Sequence, residues 1–270
     1  MAAQQSIFIT GGAGGMGLET GRYFADRGWF VCLADLGADR LEAAAADFPA
    51  GSVMTQVLDV TDESAFAPAM EAFSAKTGGR MDVMFNNAGI APGGLFATMP
   101  MTTIRQMIEV NIMGVIHGTR AALPLLKQTD NSLCISTSSS VATFGHANRA
   151  VYSATKFAVK GLMEALSIEL ESDGIRTADV LPGCIDTPML RRELANGAGR
   201  PFDESMLGAL PQTGPYRLIP AVQIAEAVWA AYQDSSQIHF YVPEDVGDID
   251  RIKGSDIQTA REETKRFLGR

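Results

Sequence analysis

Tyr152 and Lys156 stand four residues apart in Val151-Tyr152-Ser153-Ala154-Thr155-Lys156, an interval that puts two side chains on one helical face. A phenol, with an ordinary pKa of about 10, is a poor base near neutrality. A neighbouring ammonium favours the phenolate, so such a pair can take the proton of an alcohol or return one to a ketone. The spacing also arises by chance, and its weight depends on what surrounds it. Ser138-Ser139-Ser140 follows an apolar run at Ser132–Ser136. A hydroxyl there can donate to a developing alkoxide, and the other reading is an ordinary polar loop. Asn86-Asn87-Ala88-Gly89 and Pro182-Gly183-Cys184-Ile185-Asp186-Thr187 are further polar turns, each after an apolar run.

A second chemistry is written near the N-terminus. The apolar run Ser6-Ile7-Phe8-Ile9-Thr10 leads into Gly11-Gly12-Ala13-Gly14-Gly15-Met16-Gly17 and then a helical pattern. Glycines let a backbone turn tightly and approach a pyrophosphate, and the helix start offers free N–H groups and a positive dipole end. Asp35 ends the next apolar run, where a carboxylate accepts from a free ribose 2′-hydroxyl and repels a 2′-phosphate. No Lys or Arg lies in the glycine stretch or directly after Asp35, so NAD is expected over NADP. Asp35 also has the chemistry of a turn cap. Asp59-Val60 has two open readings, a contact to adenine or a cap near Asp62.

These residues need a frame that gathers them. Apolar strand patterns fall at Ser6–Thr10, Phe30–Asp35, Val53–Leu58, Val83–Asn86, Ser132–Ser136, Arg176–Val180 and Ile238–Val242. Helical patterns lie between, at Met16–Arg27, Ala38–Asp47, Asp62–Lys76, Thr102–Lys127, Val151–Glu171 and Val222–Gln233. Strands without alternation, such as Val31-Cys32-Leu33-Ala34, are covered on both faces. The alternation predicts an α/β fold: a doubly wound parallel sheet of about seven strands in three layers, with ligands at the carboxyl ends of the strands. All the polar turns above sit at those ends, and this joint placement gives them weight. One domain over residues 1–270 is expected. Residues 188–220 are expected to form a mobile substrate-binding flap, since Arg191–Pro220 is rich in Gly, Pro and charge and follows a candidate binding turn. The other reading of that stretch is a disordered excursion.

Composition narrows the function. A formal charge of −9 argues against nucleic acid and anionic membrane as partners, both of which need clustered Lys and Arg. No apolar run is long enough to span a bilayer, and Met1–Ser6 shows no secretory pattern. Cys32, Cys134 and Cys184 are scattered, as reduced thiols in the cytoplasm would be. His117, His146 and His239 are isolated, so no metal site is expected.

Together the motifs resemble the short-chain dehydrogenase/reductase family, in its single-domain, Rossmann-type branch. The match runs from Ser6 to about Thr187: Thr10-Gly11-x-x-x-Gly15-x-Gly17, Asn86-Asn87-Ala88-Gly89, Ser139 thirteen residues before Tyr152, Tyr152-x-x-x-Lys156, Asn111, and Pro182-Gly183 with Ile185 and Thr187. The resemblance implies a catalytic tetrad. Tyr152 would be the acid/base, and Lys156 would lower its pKa and bind the nicotinamide ribose. Ser139 would polarise the substrate oxygen, and Asn111 would hold a water linking Lys156 to solvent. It implies NAD contacts from Gly11, Gly14, Gly15, Met16, Gly17, Asp35, Leu36, Asp59, Val60, Asn87, Ala88, Gly89, Tyr152, Lys156, Pro182, Gly183, Ile185 and Thr187. It also implies a homotetramer, or a homodimer, built partly on the two long helices. Ala142 stands where many members have Gly, and Gly14 where many NADP-preferring members have a basic residue. Apolar residues near the expected pocket (Val141, Phe144, Met189), with His146 beside them, suggest a small-molecule substrate: a lipophilic or cyclic secondary alcohol or ketone. Two competing readings are a dinucleotide-sensing protein without catalysis and an epimerase or dehydratase with tightly held NAD. The intact Asn111, Ser139, Tyr152 and Lys156 set disfavours the first. The absence of a larger C-terminal substrate region disfavours the second.

Overall fold

The computed structural model describes residues 4–267. Met1 to Ala3, part of the N-terminal segment read above, and residues 268–270 of the expected domain lie outside the described residues. Seven strands form one parallel sheet: β1 (Ser6–Thr10), β2 (Phe30–Asp35), β3 (Val53–Val57), β4 (Val83–Asn86), β5 (Ser132–Thr137), β6 (Ile175–Pro182) and β9 (His239–Val242). Their order is β3-β2-β1-β4-β5-β6-β9. After β3 the chain crosses to the other half, so the order reverses between β1 and β4. In such sheets that point opens a crevice beyond the strand ends.

Successive residues serve opposite faces, as the pleat requires. Ile7, Ile9, Val31, Leu33, Val83, Phe85, Leu133, Ile135 and Val180 pack on one side. They lie under α1 (Gly15–Ala25), α2 (Ala38–Ala45) and α9 (Val222–Gln233). Phe8, Cys32, Met84 and Cys134 point the other way, beneath α3 (Glu63–Thr77) and α5 (Gly114–Leu126). The long α6 (Ala150–Glu169) lies on this second face, where Thr177 of β6 donates to the Met163 carbonyl at 2.8 Å. Both faces are covered over β1, β2 and β4, which is why those strands read as apolar runs, while the edge strand β3 stays partly exposed.

Three elements differ from the sequence expectation. The helix expected over Thr102–Lys127 is α4 (Met101–Ile108) and α5, joined by a π turn at Glu109–Met113. Such a turn is invisible to helical periodicity, because it inserts one residue without breaking the helix. The stretch 188–220 holds regular structure: α7 (Pro188–Ala198), α8 (Ser205–Gly208), and β8 (Leu218–Pro220) paired with β7 (Cys184–Asp186). Its many Gly and Pro residues mask a well-marked helix. Thr187 caps α7 by accepting from Leu190 N, Pro188 begins it, and Gly199 ends it at φ 62°, the pattern expected of helix ends. Beyond β9, α10 (Val246–Ser255) and α11 (Ile257–Phe267) were not anticipated. Both are short and strongly charged. Among the described residues no helix is long and apolar enough to cross a membrane, and no group of three or more His, Cys, Asp or Glu is placed to hold a metal.

Candidate active site

The carboxyl end of β1 turns through Gly11, whose φ is 66°, and Gly15, at 54°, both costly for a side chain. A Cβ on Gly17 would collide with the Gly11 carbonyl oxygen and lie 2.7 Å from Asn87 Nδ2. One on Gly14 would meet no protein atom within 4 Å, so that side of the turn is open. Gly14 offers α1 no side-chain cap, and no acid lies in the first turn. Uncapped N–H groups at a helix start suit an anion such as a diphosphate. The donor set and the bare turn therefore fit a dinucleotide.

Asp35 ties this turn to β2. Its Oδ2 accepts from Ala13 N at 3.2 Å and its Oδ1 from Leu36 N at 2.8 Å. Arg40, five residues on in α2, forms an ion pair with the same carboxylate. No basic residue directly follows Asp35 in the sequence, yet the first turn of α2 brings the Arg40 guanidinium to its carboxylate. Asp59 Oδ1 accepts from Thr61 N and Thr61 Oγ1, at 2.9 and 2.7 Å, next to Val60. Asp62 is the residue that caps α3.

Asn87 clamps three strand ends. Its Nδ2 donates to the Thr10 and Gly11 carbonyls at 3.1 and 3.3 Å, and its Oδ1 accepts from Thr137 Oγ1 at 3.3 Å. Thr10 Oγ1 accepts from Asn87 N and Ala88 N. Thr187 faces the glycine turn, 3.4 Å from where a Gly15 Cβ would stand. Gly183 N, after Pro182, donates to the Val242 carbonyl at 2.7 Å, and Ile185 is buried. Met16 packs on the core, whereas Leu36 is largely exposed.

Beside this cradle the first turns of α6 bring Tyr152 and Lys156 to the ends of β4 and β5. Lys156 Nζ donates to the Thr137 carbonyl at 2.7 Å and lies 5.7 Å from the centre of the Tyr152 ring. It sits close to Gly89, where a Cβ would be 3.6 Å from Nζ and 3.3 Å from Asn111 Oδ1. Asn111, at the centre of the π turn, accepts from Ile90 N and donates to Ile90 O, both at 2.8 Å. Its amide also donates to Thr155 Oγ1 at 3.1 Å. The side chain thus pins the loop after β4 to α6. Ser139 Oγ accepts from Val141 N at 3.3 Å.

Electrostatics here depart from the expectation of a phenol made acidic by Lys156. Burial pushes Tyr152 up, and what opposes it is the Ser139 hydroxyl and the Arg149 guanidinium. Lys156 is itself pulled down to about 8 by burial, with Asp179 acting the other way. Desolvation sets both directions, raising the half-buried Tyr152 and lowering the fully buried Lys156.

Arg149 was missed. Its Nη1 donates to the Ala91 carbonyl at 3.1 Å, its Nη2 pairs with Glu193 of α7 at 2.5 Å, and Cζ stands 6.0 Å from the Tyr152 ring centre. A cation at a helix N-terminus opposes the dipole, and that mismatch was the signal available in the sequence. Val141 is buried, while Phe144 and Met189 are half-buried. His146 Nε2 meets the Tyr216 hydroxyl at 3.2 Å, and burial pulls the ring down to about 4, so it is neutral at ordinary pH.

The sheet order, the crevice and the covering helices define a Rossmann-like α/β protein. The chain belongs to the short chain dehydrogenase family, whose model matches residues 5–197. It is 32% identical to the cis-4-hydroxycyclohexanecarboxylate dehydrogenase of Sinomonas cyclohexanicum, over 84% of this chain and 88% of the relative. Levodione reductase superposes with a TM-score of 0.81 at 26% identity, covering 90% of this chain and 97% of that one. The 3-ketoacyl-(acyl-carrier-protein) reductase of Brucella melitensis, solved with NADH, gives 0.76 at 25% identity, covering 88% and 96%. The family is one of oxidoreductases, and the chain is a dehydrogenase or reductase by membership.

Proposed function

We propose that this protein transfers hydride between NAD(H) and a lipophilic or cyclic secondary alcohol or ketone, with Tyr152 as general acid/base. The observation that carries the reading is the meeting of Tyr152, Ser139 and Lys156 beside the bare glycine turn, across the ends of β1, β4 and β5. The names of the hydroxycyclohexanecarboxylate and levodione relatives support a cyclic substrate, and the NADH complex supports a nicotinamide cofactor.

The bound nicotinamide would supply the hydride acceptor or donor. Gly11, Gly14, Gly15 and Gly17 would hold its diphosphate with backbone N–H groups, and Asp35 its adenosine ribose. Thr187, Ile185, Gly183 and Pro182 would line the nicotinamide end. Ser139 Oγ would donate to the substrate oxygen while Tyr152 Oη moves the proton. Lys156, charged below about pH 8, would favour the phenolate. Asn111 would keep this floor in register. Residues 188–220 would act as a substrate flap, with the Glu193–Arg149 pair as its anchor on α6. Ile168 on α6 and Met101 on α4, both strongly exposed apolar residues, support assembly of several copies through these helices. The buried free thiols of Cys32 and Cys134 suit a reducing cytoplasm.

The test is a panel of secondary alcohols, cyclic diols and steroids with NAD and with NADP, read by absorbance of the reduced nicotinamide. NADH formation with a cyclic secondary alcohol is expected. Cofactor binding without turnover on any substrate would point to a sensor instead.

Asp35→Ala should lower the preference for NAD over NADP by about tenfold or more, since ~1.4 kcal/mol is a factor of ten. The loss removes a repulsive carboxylate and frees Arg40 for a 2′-phosphate. Arg40→Ala in that background should take back part of the NADP gain. Ratios of kcat/KM for the two cofactors check both statements, and an unchanged ratio in Asp35→Ala removes the ribose assignment.

Glu193→Gln should move the acid limb of alcohol oxidation to lower pH. The Glu193 anion holds Tyr152 up, so neutralising it lets the phenolate form earlier. A kcat/KM profile that keeps its limb would detach Glu193 from the phenol.

A further inference from the structure

A second polar cluster lies under α6, outside the groups used above. Asp179 stands in the middle of β6 with its side chain fully buried. Its neighbours Ala178 and Val180 point to the opposite face, so the carboxylate faces α6. In the parallel register Asp179 is paired with His239 of β9, and the ring bridges two acids. His239 Nδ1 meets Asp179 Oδ1 at 2.6 Å, and Nε2 meets Glu164 Oε1 at 3.2 Å. Glu164 is half exposed. A carboxylate inside the sheet is thereby connected, through one imidazole, to a carboxylate at the surface.

The other carboxylate oxygen, Asp179 Oδ2, is buried and has no hydrogen-bond partner among the described residues. Most buried carboxylate oxygens are hydrogen-bonded, so this exception calls for a physical explanation. Ser138, which flanks it, donates to the Lys156 carbonyl at 2.9 Å. Lys156, Lys160 and Glu164 recur every four residues along α6, on the face that covers Asp179. Lys160 is committed to Asp250 of α10, which also accepts from Tyr241 of β9 and faces Lys253.

We propose that Asp179 is a positioning residue for the reaction: a buried carboxylate that sustains the charge of Lys156, and whose own ionisation is tied to solvent through His239 and Glu164. The inference rests on the reading of Tyr152 and Lys156 as the acid/base pair. Burial works against the Lys156 ammonium, and Asp179 is the carboxylate that acts in its favour. Burial likewise opposes the Asp179 charge, while His239 and Lys160 support it. The groups facing Asp179 are Lys156 and Lys160 from α6, His239 and Tyr241 from β9, and Ser138 from the end of β5. Asp250 of α10 stands behind Lys160.

The sign follows from those charges. An ionised Asp179 keeps the proton on Lys156 to higher pH, so removing the charge releases that proton earlier. In Asp179→Asn the alkaline limb of ketone reduction should move to lower pH by about one unit, the scale of one close charge pair. The substrate KM at neutral pH should stay unchanged. His239→Asn, which keeps an amide donor for Asp179 but loses the ring, should move the limb the same way by less. The measurements are kcat/KM against pH with NADH, and a thermal melt for each variant. A lower melting temperature with an unmoved limb in Asp179→Asn overturns the inference. If that variant does not fold, an unmoved limb in His239→Asn overturns it. Tyr152→Phe, run alongside, separates the two readings. Turnover in that variant defeats the acid/base assignment itself. Its inactivity, with an unmoved limb in Asp179→Asn, defeats only the role given to Asp179.

Discussion

Tyr152→Phe lowers kcat/KM by a factor of about 10² to 10⁴, the usual range for losing a positioned acid/base, and leaves cofactor affinity within about twofold. The substitution removes one oxygen and keeps the ring. The contacts of α6 with the sheet are therefore retained, and so are the Lys156 bond to the Thr137 carbonyl and the Asn111 clamp on Ile90. What disappears is the hydroxyl beside Ser139 and Arg149, the atom on which both polar neighbours act. Turnover followed by NADH absorbance and binding followed by calorimetry check the two halves separately. Ordinary turnover in the variant would show that the proton leaves by another group.

Gly17→Ala should weaken cofactor binding by about 100-fold and destabilise the fold, since forcing a methyl into a filled position costs about 1–3 kcal/mol. The added Cβ would press on the Gly11 carbonyl oxygen and on Asn87 Nδ2. Those atoms are hydrogen-bonded to each other at 3.3 Å, so the strain would open the clamp that joins the ends of β1, β4 and β5. Gly14→Ala is the informative contrast. Its φ of 179° is extended backbone that any residue adopts, and its Cβ would meet no protein atom within 4 Å. The melting temperature should therefore hold while NAD affinity falls, because the methyl occupies the open side of the turn. Equal affinity in Gly14→Ala and the parent would show that the diphosphate does not approach there.

The strand pattern was legible because strands covered on both faces are built mostly of apolar residues. Six of the seven strand patterns, Arg176–Val180 excepted, have a terminus that coincides with that of the strand formed. The polar turns were legible for the same reason: after each apolar run, residues such as Asn87, Ser139 and Gly183 stand out. Helix α7 escaped because Gly and Pro counts outweighed a Thr-Pro start that local capping rules would have recognised. The π turn around Asn111 escaped because one inserted residue leaves helical periodicity nearly intact.

What the sequence by itself determined is the alternation of buried strands and amphipathic helices, and with it which polar residues fall at the carboxyl ends. Spacing carries that much, since burial and backbone geometry act locally along the chain. The tertiary structure alone decided the charges. Arg40 reaches Asp35, Glu193 reaches Arg149, and His239 joins Asp179 to Glu164 across elements far apart in the chain. The resulting desolvation, not the neighbouring ammonium, sets the direction in which Tyr152 shifts. Electrostatic energy depends on distance and burial in three dimensions, and neither quantity is contained in the order of residues.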